Sequence, residues 1–542
     1  MARITSALPD PMKLLIHGTV HTLDGFNPNA TGLLIDRGRI IHAGDAETLV
    51  EAFGGKAEIE DLDGATVLPG LTDAHIHLQH YALSLQKVEC ETPTLAECLR
   101  RVAERAQNTS PGEWVLGHGW QQNDWPDCTA GIGGFPTAGM LDAIAPEHPV
   151  YLTAKSLHAG WANSAALKIA GMSGRTTDPP DGALQRDPAG DPTGILLEGA
   201  MGLVARALPA ETSASIRGAI HRAQRKLWEY GLTGVHDFDR RACFVALQEL
   251  HAVGELQLRV VKTIPVEDLD HAAGLGLRGG FGDGMLWLGG VKAFADGALG
   301  PHTAAMLQPY QDDPDNRGML LLDREQIFDY GRRSAEAGFA MTIHAIGDSA
   351  NHEVLEAYRV LRGYEAEHGH PSRRHRIEHV QLLHPDDFDS LAELDVIASM
   401  QPIHAVSDMR AADQYWGSRS EFAYAWRSLL KLGTRMAFGS DAPVESPNPF
   451  IGLHAAVTRR RADGDPGPAG WYPGQRLSLM EALEGFTTGA AYAGRAEKRL
   501  GKLKAGFEAD LIVLEKDIFS VEPEAIRELK PVRTMVAGRW VF

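Results

Sequence analysis

The stretch Leu68-Pro69-Gly70-Leu71-Thr72-Asp73-Ala74-His75-Ile76-His77 is a short apolar segment that ends on a pair of histidines. Strand side chains alternate between two faces, so His75 and His77 share one face and can hold the same ion. Such a pair on a strand is incidental more often than it is a metal site. The pair therefore predicts a metal site only if other strands end on further ligands.

Strand-like segments precede this stretch and return at the far end of the chain. They are rich in Val, Ile and Leu and are separated by Gly and Asp, a pattern typical of short strands and turns. The segments are Lys13–Ile16, Gly32–Asp36, Arg39–Ala43, Ile59–Leu62, Ala509–Leu514 and Val532–Phe542. We predict that residues 1–69 and 491–542 form one small β-sandwich. Because the histidine pair directly follows the first part, the prediction of a metal site is strengthened.

Apolar strands alternate with helical stretches between the two ends, which indicates a parallel sheet. Eight strands with intervening helices fit a closed barrel better than an open sheet. The predicted strands are Gly70–His77, Thr233–Phe238, Gln257–Ile264, Leu288–Ala295, Phe339–His344, Arg376–Gln381, Val396–Gln401 and Arg435–Asp441. We therefore predict an α/β fold, a (β/α)8 TIM-like barrel over residues 70–490.

The segment between the first and second predicted strands is far longer than an ordinary loop. Within it, Thr94–Gln107 is helix-like, Trp114–Gly119 is strand-like, and Thr176–Gly194 is rich in Pro, Gly and Asp. We predict an inserted α/β subdomain over about residues 81–213, beside the mouth of the barrel.

Three further polar residues end predicted strands, at the face where barrels carry their active sites. His344 ends the fifth strand, His379 lies near the end of the sixth, and Asp441 ends the eighth. Alone, each histidine would more often be a buried ring bonded to a backbone carbonyl, and Asp441 could simply cap a turn. Together with His75 and His77, they match the preference of zinc for imidazole and oxygen ligands.

Lys292 lies inside the fourth predicted strand, where a bare ammonium is costly to bury. One solution is a depressed pKa, since a neutral amine reacts with CO2 to give a carbamate that can bridge two cations. The other solution is a lysine that extends its ammonium to solvent or pairs with Asp296. The residues alone leave both solutions open.

Composition and charge exclude several classes of partner. The net charge of −19 and the pI near 5.6 argue against nucleic acid and anionic membranes. The four cysteines include no CxxC pair, which favours a reducing compartment over a disulfide framework. No apolar run reaches the roughly 18 residues of a membrane span. Met1–Lys13 has no apolar core of a secretion signal, so we expect a cytoplasmic protein.

These residues resemble the amidohydrolase superfamily, and more narrowly its YtcJ-like (amidohydrolase 3) group, which includes N-substituted formamide deformylases. The similarity runs along the whole chain. The segments that carry it are residues 68–77, Pro192–Glu198, Val291–Gly297, Ile343–Asp348, Ile377–His379, Gly439–Pro443 and Gly501–Leu511.

The resemblance implies a hydrolase with two divalent metal ions, usually zinc, that cleaves a carbon–nitrogen amide-type bond of a small molecule. His75, His77 and Asp441 would hold the inner ion, and His344 and His379 the outer one. Lys292, converted to a carbamate by CO2, would bridge the two ions. Asp441 would also take the proton of the attacking water and return it to the leaving nitrogen. The family further implies a homodimer.

Substrate contacts are predicted at the barrel mouth and in the insertion. The candidates are Trp120 and His158 in the insertion, and Asp296 and His302 just after the fourth strand. The tryptophans of this region could instead pack the core of the subdomain. The aromatic content suggests an apolar or aromatic acyl or amine group in the substrate.

Two other functions are compatible with the same residues. Within enzymes, this ligand set also supports deamination of a ring or hydrolysis of a lactone or ester. Outside enzymes, the family includes regulators of exoenzyme production, so a non-catalytic regulatory homologue is an alternative. The complete ligand set favours the enzyme.

Overall fold

The computed structural model describes residues 11–122, 125–128, 134–154, 159–180, 182–209 and 211–542. The chain divides into two compact units, one of Met1–Tyr81 with Ile220–Phe542 and one of Ala82–Ala219. The smaller unit is one continuous segment, so it is an insertion in the sequence of the larger one.

The first part of the larger unit is a β-rich lobe that leads into the first strand of the barrel. Its helix α1 begins at Ala46 because the Asp45 side chain accepts a hydrogen bond from Thr48 N. Strands β5, β4, β1 and β6 form a four-stranded sheet in that order. The elements are β1 (Lys13–Ile16), β2 (Thr19–His21), β3 (Asn29–Ala30), β4 (Gly32–Asp36), β5 (Arg39–Gly44), α1 (Ala46–Phe53), β6 (Glu58–Asp61), β7 (Thr66–Pro69), β8 (Leu71–Ile76) and α2 (Leu78–Ser84).

The smaller unit is a mixed six-stranded sheet with helices. Its elements are β9 (Val88–Glu89), α3 (Leu95–Gln107), β10 (Val115–Trp120), α4 (Ala138–Ile144), β11 (Val150–Ala154), β12 (Ala159–Ala162), α5 (Ser164–Ile169), β13 (Gly182–Arg186), β14 (Pro192–Glu198) and α6 (Met201–Ala205). The strand order is β13-β14-β12-β11-β10-β9. Helix α3 buries Leu95, Cys98, Val102 and Ala106, which share one face at helical spacing.

The remaining elements belong mainly to the barrel and its helices. They are α7 (Ser213–Glu229), β15 (Leu232–Asp237), α8 (Arg241–Ala252), β16 (Arg259–Pro265), α9 (Leu269–Gly274), β17 (Leu286–Phe294), α10 (Arg324–Ala337), β18 (Met341–Ala345), α11 (Asp348–Glu367), β19 (Arg376–His379), α12 (Ser390–Glu393), β20 (Ile397–Met400), α13 (Pro402–Trp416), α14 (Trp426–Lys431), β21 (Met436–Phe438), α15 (Pro449–Thr458), α16 (Leu479–Glu484), α17 (Ala490–Ala493), β22 (Leu511–Leu514), β23 (Arg533–Val536) and β24 (Arg539–Trp540). None of the helices that the structure describes is long and apolar enough to cross a membrane.

Eight parallel strands form the barrel, in the order β21-β20-β19-β18-β17-β16-β15-β8. The two end strands approach each other where Asp441 N donates to His75 O at 2.7 Å. Gly439 permits this approach, because a Cβ there would lie 2.4 Å from His75 N. The predicted α/β fold with a TIM-like barrel is confirmed, and the chain order of the strands brings their carboxyl ends to one face.

Strands from both ends of the chain share a second sheet of the larger unit, in the order β24-β23-β22-β7-β2-β3. Strand β22 runs antiparallel to β7, with Ile512 opposite Leu68. Asp510, directly before β22, accepts a hydrogen bond from the buried Arg259 of β16 at 2.8 Å. The second sheet is therefore tied to the barrel by a buried ion pair as well as by chain connectivity.

Candidate metal centre

The histidine pair and Asp441 meet at the carboxyl end of the barrel strands. His75 is the second-last residue of β8, and His77 directly follows the end of that strand. Asp441 Oδ1 lies 3.5 Å from His75 Nε2 and 3.5 Å from His77 Nε2. One ligand atom each from His75, Asp441 and His379 also lie within 4.8 Å of one another. These groups are close enough to share a cation.

Two more histidine rings continue this cluster. His379 ends β19, and its ring centroid lies 4.9 Å from that of His75. His344 belongs to β18, and its ring centroid lies 4.6 Å from that of His379. The four histidines predicted as ligands are therefore brought together by three different barrel strands.

Each of these four rings has one nitrogen held by an oxygen acceptor. The pairs are His75 Nδ1 with Glu378 Oε2 (2.6 Å), His77 Nδ1 with Asp239 Oδ1 (3.1 Å), His379 Nδ1 with Gln401 Oε1 (2.8 Å) and His344 Nε2 with the carbonyl oxygen of Gly297 (2.8 Å). A histidine that binds metal usually donates its second N–H to such an acceptor, which fixes the tautomer. The remaining nitrogens are Nε2 of His75, His77 and His379 and Nδ1 of His344.

Glu378 holds the most deeply buried ring of the cluster. Its carboxylate is fully buried and also accepts a hydrogen bond from Arg376 at 3.0 Å, which compensates its charge. The His75 ring stacks on Phe238 with the centroids 3.9 Å apart and the planes 8° apart. The orientation of His75 is therefore fixed by a hydrogen bond along its edge and by an aromatic ring against its face.

Asp239 plays the same part for His77. One carboxylate oxygen accepts hydrogen bonds from His77 and His80, and the other accepts from the backbone N–H of Gln79. Burial raises the pKa of Asp239, but the hydrogen bonds with His77 and His80 outweigh burial and hold that pKa below its usual range. Asp239 is therefore ionised and ties the segment after β15 to the start of α2.

Lys292 lies on β17 with its amine between two aromatic rings. Nζ is 4.8 Å from the centroid of Phe238 and 4.6 Å from that of Phe294. The Lys292 side chain is buried, and no residue in the described ranges makes a hydrogen bond or ion pair with Nζ. Burial lowers the pKa of Lys292 to about 8, although the charges of Glu378 and Asp441 oppose that shift. A fraction of the amine is therefore neutral near physiological pH.

Burial sets the protonation of the other groups. It lowers the pKa of His344 to about 3, and it holds the pKa values of His75 and His379 well below the usual range. These imidazoles are neutral, which is the form that binds metal. Burial also raises the pKa of Asp441 to about 6, against the lowering effect of His77 and Lys292. Neutral imidazoles with a carboxylate are a donor set that fits zinc and similar divalent cations.

The residues predicted to bind substrate are placed differently. Trp120 is fully buried in the smaller unit, where its indole donates to Leu152 O at 2.9 Å and packs with Trp125 and Trp161. Trp120 therefore packs in an aromatic core, and its contact with substrate stays a prediction. His158 lies outside the described residues.

Asp296 also has a structural role. Its carboxylate is buried and accepts hydrogen bonds from the backbone N–H groups of Ala305, Ile346 and Gly347, at 2.8 to 3.0 Å. Both oxygens therefore help to clamp two loops, and a contact of Asp296 with substrate stays a prediction. His302 packs between the rings of Tyr310 and Tyr415 and lies 3.2 Å from an oxygen of Asp312. Its role in substrate binding stays a prediction.

Replacing Glu378 is expected to weaken metal binding. In Glu378→Gln, His75 loses a charged acceptor and Arg376 loses its counter-charge, so affinity for zinc falls by roughly 10- to 100-fold. Competition against a chelating dye measures the change. Glu365→Gln is the matched control. Glu365 accepts a hydrogen bond from His375 Nε2 at 3.1 Å, and His375 directly precedes the amino end of β19, whereas Glu378 and His379 lie at its carboxyl end. Equal zinc affinities for Glu378→Gln and the unchanged protein would contradict this prediction.

The amidohydrolase family model Amidohydro_3 matches residues 58–542 of this chain. The putative amidohydrolase YtcJ of Bacillus subtilis (strain 168) is 31% identical over 98% of this chain and 99% of its own length. The N-substituted formamide deformylase of Arthrobacter pascens is 29% identical over 97% of each chain.

Solved structures agree with these similarities. The crystal structure of an uncharacterized metal-dependent hydrolase from Pyrococcus furiosus superposes with a TM-score of 0.74 at 30% identity. The match covers 93% of this chain and 99% of that one. The similarity therefore extends over the whole barrel and not only over a motif.

Proposed function

Because this chain belongs to the amidohydrolase family and is a metal-dependent hydrolase, we propose that it cleaves a carbon–nitrogen amide bond of a small molecule with two divalent cations, first of all zinc. The observation that carries the proposal is the set of four histidines, each with one ring nitrogen held by an oxygen and the other left for a ligand. The choice of a C–N bond is supported by the similarity to a formamide deformylase.

The donors divide into two groups on this proposal. His75, His77 and Asp441 would hold one ion, which is supported by the two 3.5 Å distances to Asp441 Oδ1. His344 and His379, whose rings are in contact, would hold the other. Two cations in these donors would lower the pKa of a water towards neutrality and would polarise the scissile carbonyl.

Lys292 is proposed to bridge the two groups as a carbamate. Its neutral amine adds to CO2, forming an N–C bond and releasing one proton, and the product carries two oxygens that can serve two cations. The proposal is supported by the lowered pKa and by an amine that makes no hydrogen bond with any described residue. An unmodified ammonium at this position would repel the cations.

Asp441 is proposed to move the proton. Its carboxylate accepts the proton of the attacking water and delivers it to the leaving nitrogen, which would otherwise depart as an unstable anion. Glu378, Asp239 and Gln401 keep the histidine rings in place while this happens, since each holds the ring nitrogen that faces away from the cluster. The rings Phe238 and Phe294 exclude water from the Lys292 amine.

Metal analysis and a substrate panel test the function. We expect about two ions per chain, and hydrolysis of N-formyl or N-acyl amines that a chelator removes and zinc with bicarbonate restores. His77→Ala should lose metal and activity, whereas His42→Ala, an exposed histidine of β5, should keep both. Turnover of lactones, esters or amino-substituted rings alone would contradict the choice of bond. A metal-free protein that binds small molecules without hydrolysis would contradict the enzyme itself.

A further inference from the structure

Phe294 is the last residue of β17 and is 44% exposed although it ends a barrel strand. Side chains of a strand alternate between faces, so Phe294 shares the face of Lys292 two residues before it. Phe294 is also two residues nearer than Lys292 to the carboxyl end of the strand, where barrel enzymes bind their substrates. An apolar ring is therefore presented to solvent at the edge of the candidate metal centre.

The neighbours of the Phe294 ring belong to this centre. The ring centroid lies 4.6 Å from Lys292 Nζ and 5.2 Å from the centroid of His344, with the His344 plane tilted by 41°. A molecule that contacts the exposed part of Phe294 would therefore lie next to the donors that are proposed to hold the outer cation.

A second apolar residue pairs with the chain just after Phe294. Leu320 forms an isolated antiparallel bridge with Asp296, and Leu321 N donates to Ala295 O at 2.7 Å. The bridge places Leu320 beside the chain two residues after Phe294. Leu320 is 40% exposed. A second exposed apolar side chain therefore belongs to the segment that pairs with the chain just after β17.

Exposed apolar residues are common, so the exposure of Phe294 alone indicates nothing. What distinguishes Phe294 is its position beside Lys292 and His344, on the same face of β17 as Lys292, with the exposed Leu320 paired to the chain two residues later. A charged or strongly polar group against them would lose hydration without gaining a partner. An uncharged hydrocarbon group would instead gain by leaving water.

We propose that Phe294 and Leu320 form an apolar wall of the substrate site, which takes an uncharged hydrocarbon group attached next to the scissile bond. The proposal rests on the proposed function, because the wall borders the metal centre of that hydrolase. The group can be carried by the acyl side or by the amine side of the amide.

The turnover of three amides shows whether the hydrocarbon group is carried by the acyl side or by the amine side. N-benzylacetamide carries the hydrocarbon group on nitrogen, N-methyl phenylacetamide carries it on the acyl side, and N-methylacetamide carries neither. We expect kcat/KM for one of the first two to exceed that for N-methylacetamide roughly tenfold or more. Phe294→Ala should reduce this preference to less than about threefold, and Phe294→Leu should retain part of it.

Binding to the zinc-loaded protein gives a readout without turnover. Phenylacetohydroxamate and acetohydroxamate chelate metal alike and differ in the phenyl group. We expect the phenyl compound to bind roughly tenfold or more tightly, and the difference to vanish in Phe294→Ala and to shrink in Leu320→Ser. If the protein discriminates the hydroxamates but hydrolyses no amide, the result supports the apolar wall and contradicts the proposed hydrolysis.

Phe281→Ala is the matched control, since Phe281 is 64% exposed and precedes β17 at the other end of the strand. We expect it to keep the preference of the unchanged protein. A uniform loss for all compounds in Phe294→Ala, with Leu320→Ser unaffected, would overturn the proposal and leave Phe294 as a cover for the Lys292 amine. Equal binding of the two hydroxamates by the unchanged protein would also overturn it.

Discussion

Asp441→Asn is expected to lower kcat by roughly 10²- to 10⁴-fold while the protein keeps part of its metal. The asparagine has the same shape and retains one oxygen near His75 and His77, so the donor set is weakened and not dismantled. It cannot accept a proton, however, and the attacking water and the leaving nitrogen then lose their proton carrier. Steady-state turnover on the best amide, together with metal content per chain, measures both effects.

The control for this variant is a second carboxylate that contacts a histidine. Asp517 lies 3.0 Å from His21 Nε2 in the β-rich lobe, and Asp517→Asn should leave turnover unchanged. Asp441→Asn with normal turnover would remove Asp441 from the role of proton carrier. Asp441→Asn with no metal at all would show that the residue acts as a ligand first, and the loss of activity would then say nothing about proton transfer.

Lys292→Ala is expected to lose one ion and to lower turnover by roughly 10²-fold or more, on the scale of removing one charge-stabilising group. The substitution removes the proposed carbamate and leaves a gap between Phe238 and Phe294, whose rings flank the amine in the intact protein. A short carboxylate such as propionate can enter that gap and supply two oxygens. We therefore expect propionate to restore part of both metal content and turnover.

Lys292→Met distinguishes the loss of the carbamate from the loss of side-chain volume. Methionine keeps most of the side-chain volume without an amine, so activity should be lost and propionate should not restore it. Rescue of Lys292→Ala by ethylamine instead of propionate would indicate that the free amine is the functional form. Full activity of Lys292→Ala with two ions would exclude Lys292 from the centre altogether.

Most of the fold could be predicted because hydrophobic patterning is a local property. Strand β17, predicted over Leu288–Ala295, extends over Leu286–Phe294, and the sixth strand begins at Arg376 as predicted. His75 and His77 could be selected as ligands for the same reason, since alternation along one strand puts both on one face. Strand ends then gather His344, His379 and Asp441, because all parallel strands of a barrel end at the same rim.

The groups that orient these candidate ligands could not be predicted from the same patterns. Glu378 contacts His75 across a sequence separation of 303 residues, and Asp239 contacts His77 across 162. A local pattern indicates which face a residue occupies, but the partner on that face depends on the order and stagger of the strands. The only signal in the sequence was that Glu378 directly precedes His379.

The sequence itself determined the barrel and the candidate metal ligands at its strand ends, including the histidine pair at residues 75 and 77, through alternation and apolar periodicity. Tertiary structure alone decided that Trp120 packs in an aromatic core, that Asp296 clamps backbone N–H groups and that Phe294 stays exposed beside Lys292. The physical reason is that burial and hydrogen-bond partners arise from neighbours that are distant in the chain. Residue type and spacing reveal a side chain's chemistry, whereas its role depends on the groups that surround it.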